Sequence, residues 1–157
     1  MEVKKHTIKL VVNNRPDVLA RIAGIFSGRG FNIESISANI TLDPNVTKIR
    51  IVTMGDSSTV SKIQNQLKKL VDVQSVSHIR ESKHGQREMI MMQVNLTDEN
   101  RRDVMKAIDE FQCKIVTKKV DHCIIEATGN EDDIEQLIKR FEPMGIEDFS
   151  RSGVVAL

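Results

Sequence analysis

Two asparagines and an aspartate flank a helix start in "NNRPDVLARIAGIFSGRGFNIES", Asn13 to Ser35. Asn14 precedes Pro16, a residue suited to the first turn of a helix, and the backbone N–H groups of Asp17, Val18 and Leu19 then lack intrahelical acceptors. Such a helix start accommodates an anion, the dipole adding roughly 0.3–1 kcal/mol when exposed. Asn32 supplies a second amide if the next strand begins beside that entrance, and Ile33 follows it. Asp17 either opposes an ammonium group or is an ordinary first-turn acid. The amides suit a small zwitterion, and they equally suit plain capping.

Other chemistry has little to work with. His6, His78, His84 and His122 lie far apart with no metal-ligand spacing. The chain contains no nucleophile elbow, Walker loop or GxGxxG pattern. "GRG", Gly28 to Gly30, falls at a helix C-terminus, where the dipole disfavours phosphate. Cys113 and Cys123 sit in apolar runs without CxxC spacing and read as buried thiols. RNA-binding sheets of similar topology stack bases on aromatic side chains, whereas this chain has five Phe and no Trp or Tyr. No nucleic-acid partner is expected.

These residues are positioned by a chain of 157 residues, 39% hydrophobic and 29% charged, enough for one domain or two small ones. The first 80 residues carry twelve Lys and Arg against six Asp and Glu, and the remainder carry eleven against sixteen. Opposite net charge suggests two units. No apolar run reaches the roughly 20 residues that span a bilayer, and the N-terminus lacks a signal-peptide pattern, so a cytoplasmic chain is expected.

Periodicity supplies the elements. "TIKLVV" (Thr7 to Val12) reads as a strand, and Val18, Leu19, Ile22, Ile25 and Phe26 form one helical face ended by Gly28 and Gly30. Ile36, Ala38, Ile40 and Leu42 alternate with polar residues as a strand with one buried face; Asp43-Pro44-Asn45 turns the chain into Thr47–Met54. Asp56, Ser57 or Ser58 caps a helix bearing Val60, Ile63, Leu67 and Leu70, and Val71–Ile79 closes a βαββαβ unit. "ESKHGQRE", Glu81 to Glu88, has no apolar residue and reads as a linker. The order then repeats: a strand with Ile90, Met92, Val94 and Leu96; a helix capped by Thr97 or Asp98; a hairpin; a helix capped by Asn130; and a last strand in "GIEDFSRSG". The expected fold is α+β, two ferredoxin-like βαββαβ sandwiches in tandem: residues 1–80, a linker over 81–88, and residues 89–157. The repeat is one of pattern, with no convincing residue identity between halves.

The segment "VVNNRPDVLARIAGIFSGRGFNIESI" resembles the ligand-binding stretch of ACT domains, small amino-acid-sensing modules of this topology. With "KLVDVQSVSHI", "REMIMMQV" and "RSGVVAL", it is similar to the small regulatory subunits of acetohydroxyacid synthase, also called acetolactate synthase. That resemblance implies a non-catalytic chain whose first unit is an ACT domain. It implies homodimers through those domains and an effector, chiefly valine, bound where they meet at Asn14, Asp17, Val18, Leu19, Asn32 and Ile33. It further implies a catalytic large subunit as partner, and that partner, not this chain, holds thiamine diphosphate, FAD and Mg²⁺. Many members have Gly where this chain has Asp17, a side chain able to crowd or repel an effector carboxylate. A free-standing ACT-type sensor acting on another enzyme is the alternative.

Overall fold

The computed structural model describes residues 3–79 and 85–156. The chain folds as two compact units, residues 1–82 and 83–157. In the first, β1 (Lys4–Asn13), α1 (Val18–Ser27), β2 (Ser35–Ile40), β3 (Val46–Gly55), α2 (Ser57–Leu67) and β4 (Val73–Ile79) build an antiparallel sheet of order β2-β3-β1-β4. In the second, β5 (Gln86–Asn95), α3 (Arg101–Glu110), β6 (Lys114–Lys118), β7 (His122–Gly129), α4 (Glu131–Phe141) and β8 (Ile146–Arg151) repeat the plan as β6-β7-β5-β8. A two-residue β9 (Val155–Ala156) pairs with Gln86 and Arg87. Both are ferredoxin-like βαββαβ units.

Alternation along the central strands determines where each core lies. Ile8, Leu10 and Val12 of β1 and Ile49 and Ile51 of β3 share the face covered by Val18, Ile22 and Phe26 of α1 and Val60, Ile63 and Leu67 of α2. Ile90, Met92 and Val94 do the same beneath Val104 and Ile108 of α3 and Ile134, Leu137 and Phe141 of α4. Each such side chain, fully buried, contributes roughly 1.5–3 kcal/mol. Truncating Phe26 or Phe141, both at most 1% exposed, would therefore disrupt a whole layer.

The ends of the elements correct several sequence expectations. α1 begins at Val18, and Leu19 projects outward, because residue 19 falls between the buried positions 18 and 22 and turns off that face. Gly28 caps α1 in right-handed geometry, while Gly30 alone is left-handed, letting Phe31 N–H reach back to the Phe26 carbonyl at 3.0 Å. Ile36 and Ile40, expected on a buried face, are 45% and 62% exposed: Ile36 pairs with core residue Ile51, but β2 is the edge strand of the sheet and has no neighbour on its far side among the described residues. β4 begins at Val73, leaving Val71 exposed. Thr97 and Asp98 do not cap α3: the helix starts after Asn100, whose N–H is held by the Thr97 hydroxyl at 3.1 Å. Of the expected linker, residues 81–84 lie outside the described residues, and Gln86–Glu88 are strand, with the Glu88 carboxylate buried against Arg151 at 2.7 Å.

The caps of α2 and α4 repeat one local device. Asp56 accepts from Thr59 N–H at 2.9 Å, and Asn130 forms a reciprocal box with Asp133. A glycine precedes each cap: a Cβ on Gly55 would stand 3.2 Å from the Thr59 methyl, and one on Gly129 only 2.7 Å from the Asp133 Cβ.

Candidate functional site

β1 delivers the site at its C-terminal end. After a register shift between Val11 and Val12 against β4, Asn13 N–H donates to the Asp72 carbonyl at 2.8 Å and its side-chain amide donates to the Asp72 carboxylate at 3.2 Å. Gln74 donates to Asn13 Oδ1 at 2.8 Å. Asn14 N–H meets the Asn45 carbonyl at 2.7 Å, and Asn14 Nδ2 donates to the Pro44 carbonyl at 2.9 Å. One N–H of the Asn14 amide is thus used within its own chain.

The helix start that follows is only partly as expected. Val18 is core, and its N–H meets the Arg15 carbonyl at 3.3 Å. Leu19 and Ala20 carry the first-turn amides that face no backbone acceptor among the described residues. Asp17 occupies the N-cap position without bonding the helix. Its carboxylate instead pairs with Arg21, one turn on, and that hydrogen bond holds it below the usual carboxylate range. Arg21 also donates to Asp72 at 3.1 Å, and Arg15 lies 3.5 Å from the same carboxylate.

Asn32 and Ile33 lie elsewhere. Asn32 Nδ2 donates to Glu34 at 3.2 Å, its carbonyl accepts from the buried Thr53 hydroxyl at 2.7 Å, and Ile33 packs against the first core from a half-buried position. Asn14 is tied to Asn45 before β3 and Asn32 to Thr53 near its far end, so about eight residues of extended chain, roughly 25 Å, separate them. The expectation that β2 starts beside the α1 entrance is therefore corrected: α1 carries the chain the length of the sheet before β2 begins. Within one chain the site is divided between two ends of the first unit.

Arg21, Asp72 and Asn13 are the site's unexpected members. The Asp17–Arg21 spacing of four carried the signal for one of them. Asp72 stood out only as a lone acid in the apolar run "LVDV".

Nothing comparable supports catalysis. Among the described residues, no group of three or more His, Cys, Asp or Glu could hold a metal ion, and no helix is long and apolar enough to cross a membrane. Cys113 and Cys123 are free thiols; burial pushes the first up to about 11 and also raises the second. An open depression of ≈ 220 Å³ on the second sheet is lined by Met91, Met92, Gln93, Ile124, Asp148, Phe149 and Ser150, with no histidine and one acid in its lining.

Comparison with known proteins follows the same division. Residues 8–75 match the family described as the AHAS small subunit-like ACT domain, and residues 87–157 match the small subunit of acetolactate synthase. A probable acetolactate synthase small subunit of Archaeoglobus fulgidus is 39% identical, with 98% of this chain and 96% of the relative aligned. That of Aquifex aeolicus is 34% identical, covering 99% of this chain and 82% of the relative. The crystal structure of the small subunit from Thermotoga maritima superposes with a TM-score of 0.86 at 31% identity, covering 98% of this chain and 96% of that one. With relatives this similar aligned nearly end to end, the chain belongs to the acetolactate synthase small-subunit family.

Proposed function

We propose that this chain is the non-catalytic regulatory subunit of an acetolactate synthase. It binds a branched-chain amino acid, chiefly valine, at a site completed by a second copy, and it transmits that binding to a catalytic large subunit. The observation that carries this reading is the separation of Asn14 from Asn32 across β2, an edge strand exposing Ile36 and Ile40. Antiparallel pairing of two β2 strands about a two-fold axis sets the Asn32 end of each copy beside the Asn14 end of the other, twice per pair. The effector carboxylate then meets the Leu19 and Ala20 amides, its ammonium meets asparagine Oδ1 atoms, and its side chain meets Leu19 and the apolar β2 edge. The extra acid at Asp17 is compatible with an anionic ligand group because Arg21 neutralises it.

A millimolar to micromolar effector needs only about 4–8 kcal/mol of binding, within reach of a few charge-assisted bonds and one buried aliphatic group. One methylene is worth about 1–3 kcal/mol, so leucine and isoleucine compete. Preference of the ligand for one arrangement of the paired copies supplies the typical 1–3 kcal/mol of coupling. Thiamine diphosphate, FAD and Mg²⁺ belong to the cytoplasmic catalytic partner in this scheme.

The test combines calorimetry with an assay of the reconstituted synthase. The wild-type chain raises the partner's rate, valine lowers it again, and Asn14→Ala weakens valine binding at least tenfold with the same shift in the inhibition curve. Valine binding untouched by Asn14→Ala would refute the site. Absence of copurification with a thiamine-dependent large subunit would favour a free-standing sensor.

A further inference from the structure

Within the first unit, one ionisable side chain among the described residues is withdrawn from water: Asp72, 3% exposed, in the turn between α2 and β4. Four contacts converge on it from the other side of the sheet end. Its carboxylate accepts from Asn13 Nδ2 at 3.2 Å and from Arg21 at 3.1 Å and stands 3.5 Å from Arg15, while its carbonyl accepts from Asn13 N–H at 2.8 Å. Burying a carboxylate carries a desolvation cost, and an apolar residue of similar volume fills such a position at least as favourably. Packing therefore does not account for an acid here. Each of its side-chain partners lies within residues 13–21, the loop and first turn that form one half of the effector site.

Building on the effector site proposed above, we propose that Asp72 is its positioning residue, fixing the Asn13–Asp17 loop and holding Arg21 where its guanidinium neutralises Asp17. Arg21 is half exposed and, without a second carboxylate, has many rotamers that leave Asp17 uncovered. A bare Asp17 beside the Leu19 and Ala20 amides repels an incoming carboxylate. Asp72 converts that long, mobile cation into a fixed one, so a side chain with no contact to the ligand determines whether the entrance accepts an anion. The acid at position 17 and the buried acid at position 72 thus act as a pair, with Arg21 between them.

The consequence is a rescue that a merely structural residue would not show. In Asp72→Asn, valine affinity measured by calorimetry falls at least tenfold, and the amides of residues 14, 15, 17 and 18 exchange with solvent at least tenfold faster while those of β1 and β3 do not change. Adding Asp17→Gly to Asp72→Asn restores at least threefold of the lost affinity, because the charge needing neutralisation has gone. Arg21→Gln, an exposed change that leaves the core intact, gives the same loss and the same rescue should Asp72→Asn fold poorly. Wild-type affinity in either single variant, or no recovery on adding Asp17→Gly, overturns the proposal. If the wild-type chain binds none of valine, leucine and isoleucine, the effector reading itself fails. Exchange at residues 14, 15, 17 and 18 then still decides the positioning role: acceleration in Asp72→Asn supports it, and unchanged exchange overturns it.

Discussion

The two units share a backbone plan down to individual hydrogen bonds, yet they differ at the edge strand and at the helix entrance. β2, "SISANI", carries no charge and keeps unbroken register with β3. β6, "KIVTK", has a lysine at each end and a bulge between Ile115 and Thr117. Lysines and bulges are standard means of blocking strand addition, so β6 carries guards that β2 lacks. At the entrance, Asn14 N–H meets the Asn45 carbonyl and Leu96 N–H meets the Asp121 carbonyl, each at 2.7 Å, in matching places. Asn14 is exposed, whereas Leu96 is 5% exposed and seals its loop into the core. Gly145 takes the place of Asp72, accepting from Asn95 N–H at 2.9 Å with no side chain to organise anything. One fold has been used once to present an edge and a polar mouth, and once to close both.

That contrast can be broken first at the edge. Ile36→Lys with Ile40→Lys should raise the dissociation constant of the proposed dimer by at least about 100-fold in sedimentation, whereas Ile115→Lys on β6 leaves it unchanged. Equal effects would mean that the guarded strand is also an interface. The entrance is tested next. Leu96→Asn should cost about 2–4 kcal/mol in denaturant unfolding without creating a binding mouth, while Asn14→Leu, on the surface, shifts stability by less than about 0.5 kcal/mol.

Smaller differences sharpen the comparison. α1 ends through Gly30 at φ +70°, but α3 ends through Gln112 at φ +51°, with Cys113 N–H reaching the Ile108 carbonyl as Phe31 reaches Phe26. Gln112→Gly should stabilise the second unit by about 0.5–1 kcal/mol in thermal unfolding, since a side chain there pays a left-handed penalty. Cys113, in the place of Phe31, adds a slight pH dependence. Its folded value is raised by burial from 9.0 to about 11, so the unfolded chain loses its proton first, and stability falls as pH rises between those values. Titrating Cys113→Ser beside wild type over that window should remove this slope.

Much of the fold was legible because each helix and central strand buries one face of a regular period. Val60, Ile63 and Leu67 declare α2, and Ile90, Met92 and Val94 declare β5. β2 misled because its alternation is real and in register with the core face of β3, while its place at the sheet edge leaves Ile36 and Ile40 half exposed or more; spacing in sequence does not tell an edge strand from a central one. The proposed site showed in the sequence only as residue types at a helix start. Its assembly was not, since the distance between Asn14 and Asn32 depends on which end of the sheet α1 leads to, and spacing in sequence does not encode that. Asp72 escaped for the same reason: its partners lie some fifty residues earlier in the chain. The internal repeat was also stronger than the letters suggested, surviving as a glycine, a cap and its partner three positions on.

That last correspondence limits how this sequence can drift. Any methyl added at position 129 strikes the very side chain that closes the α4 cap, and position 55 is crowded, more gently, by Thr59. In a saturation library, both buried glycines should therefore fall among the least permissive strand-end sites. Replacements at 129 should survive only alongside glycine at 133, because every other residue there keeps the Cβ that stands 2.7 Å away, so that two positions four apart are inherited as a single unit.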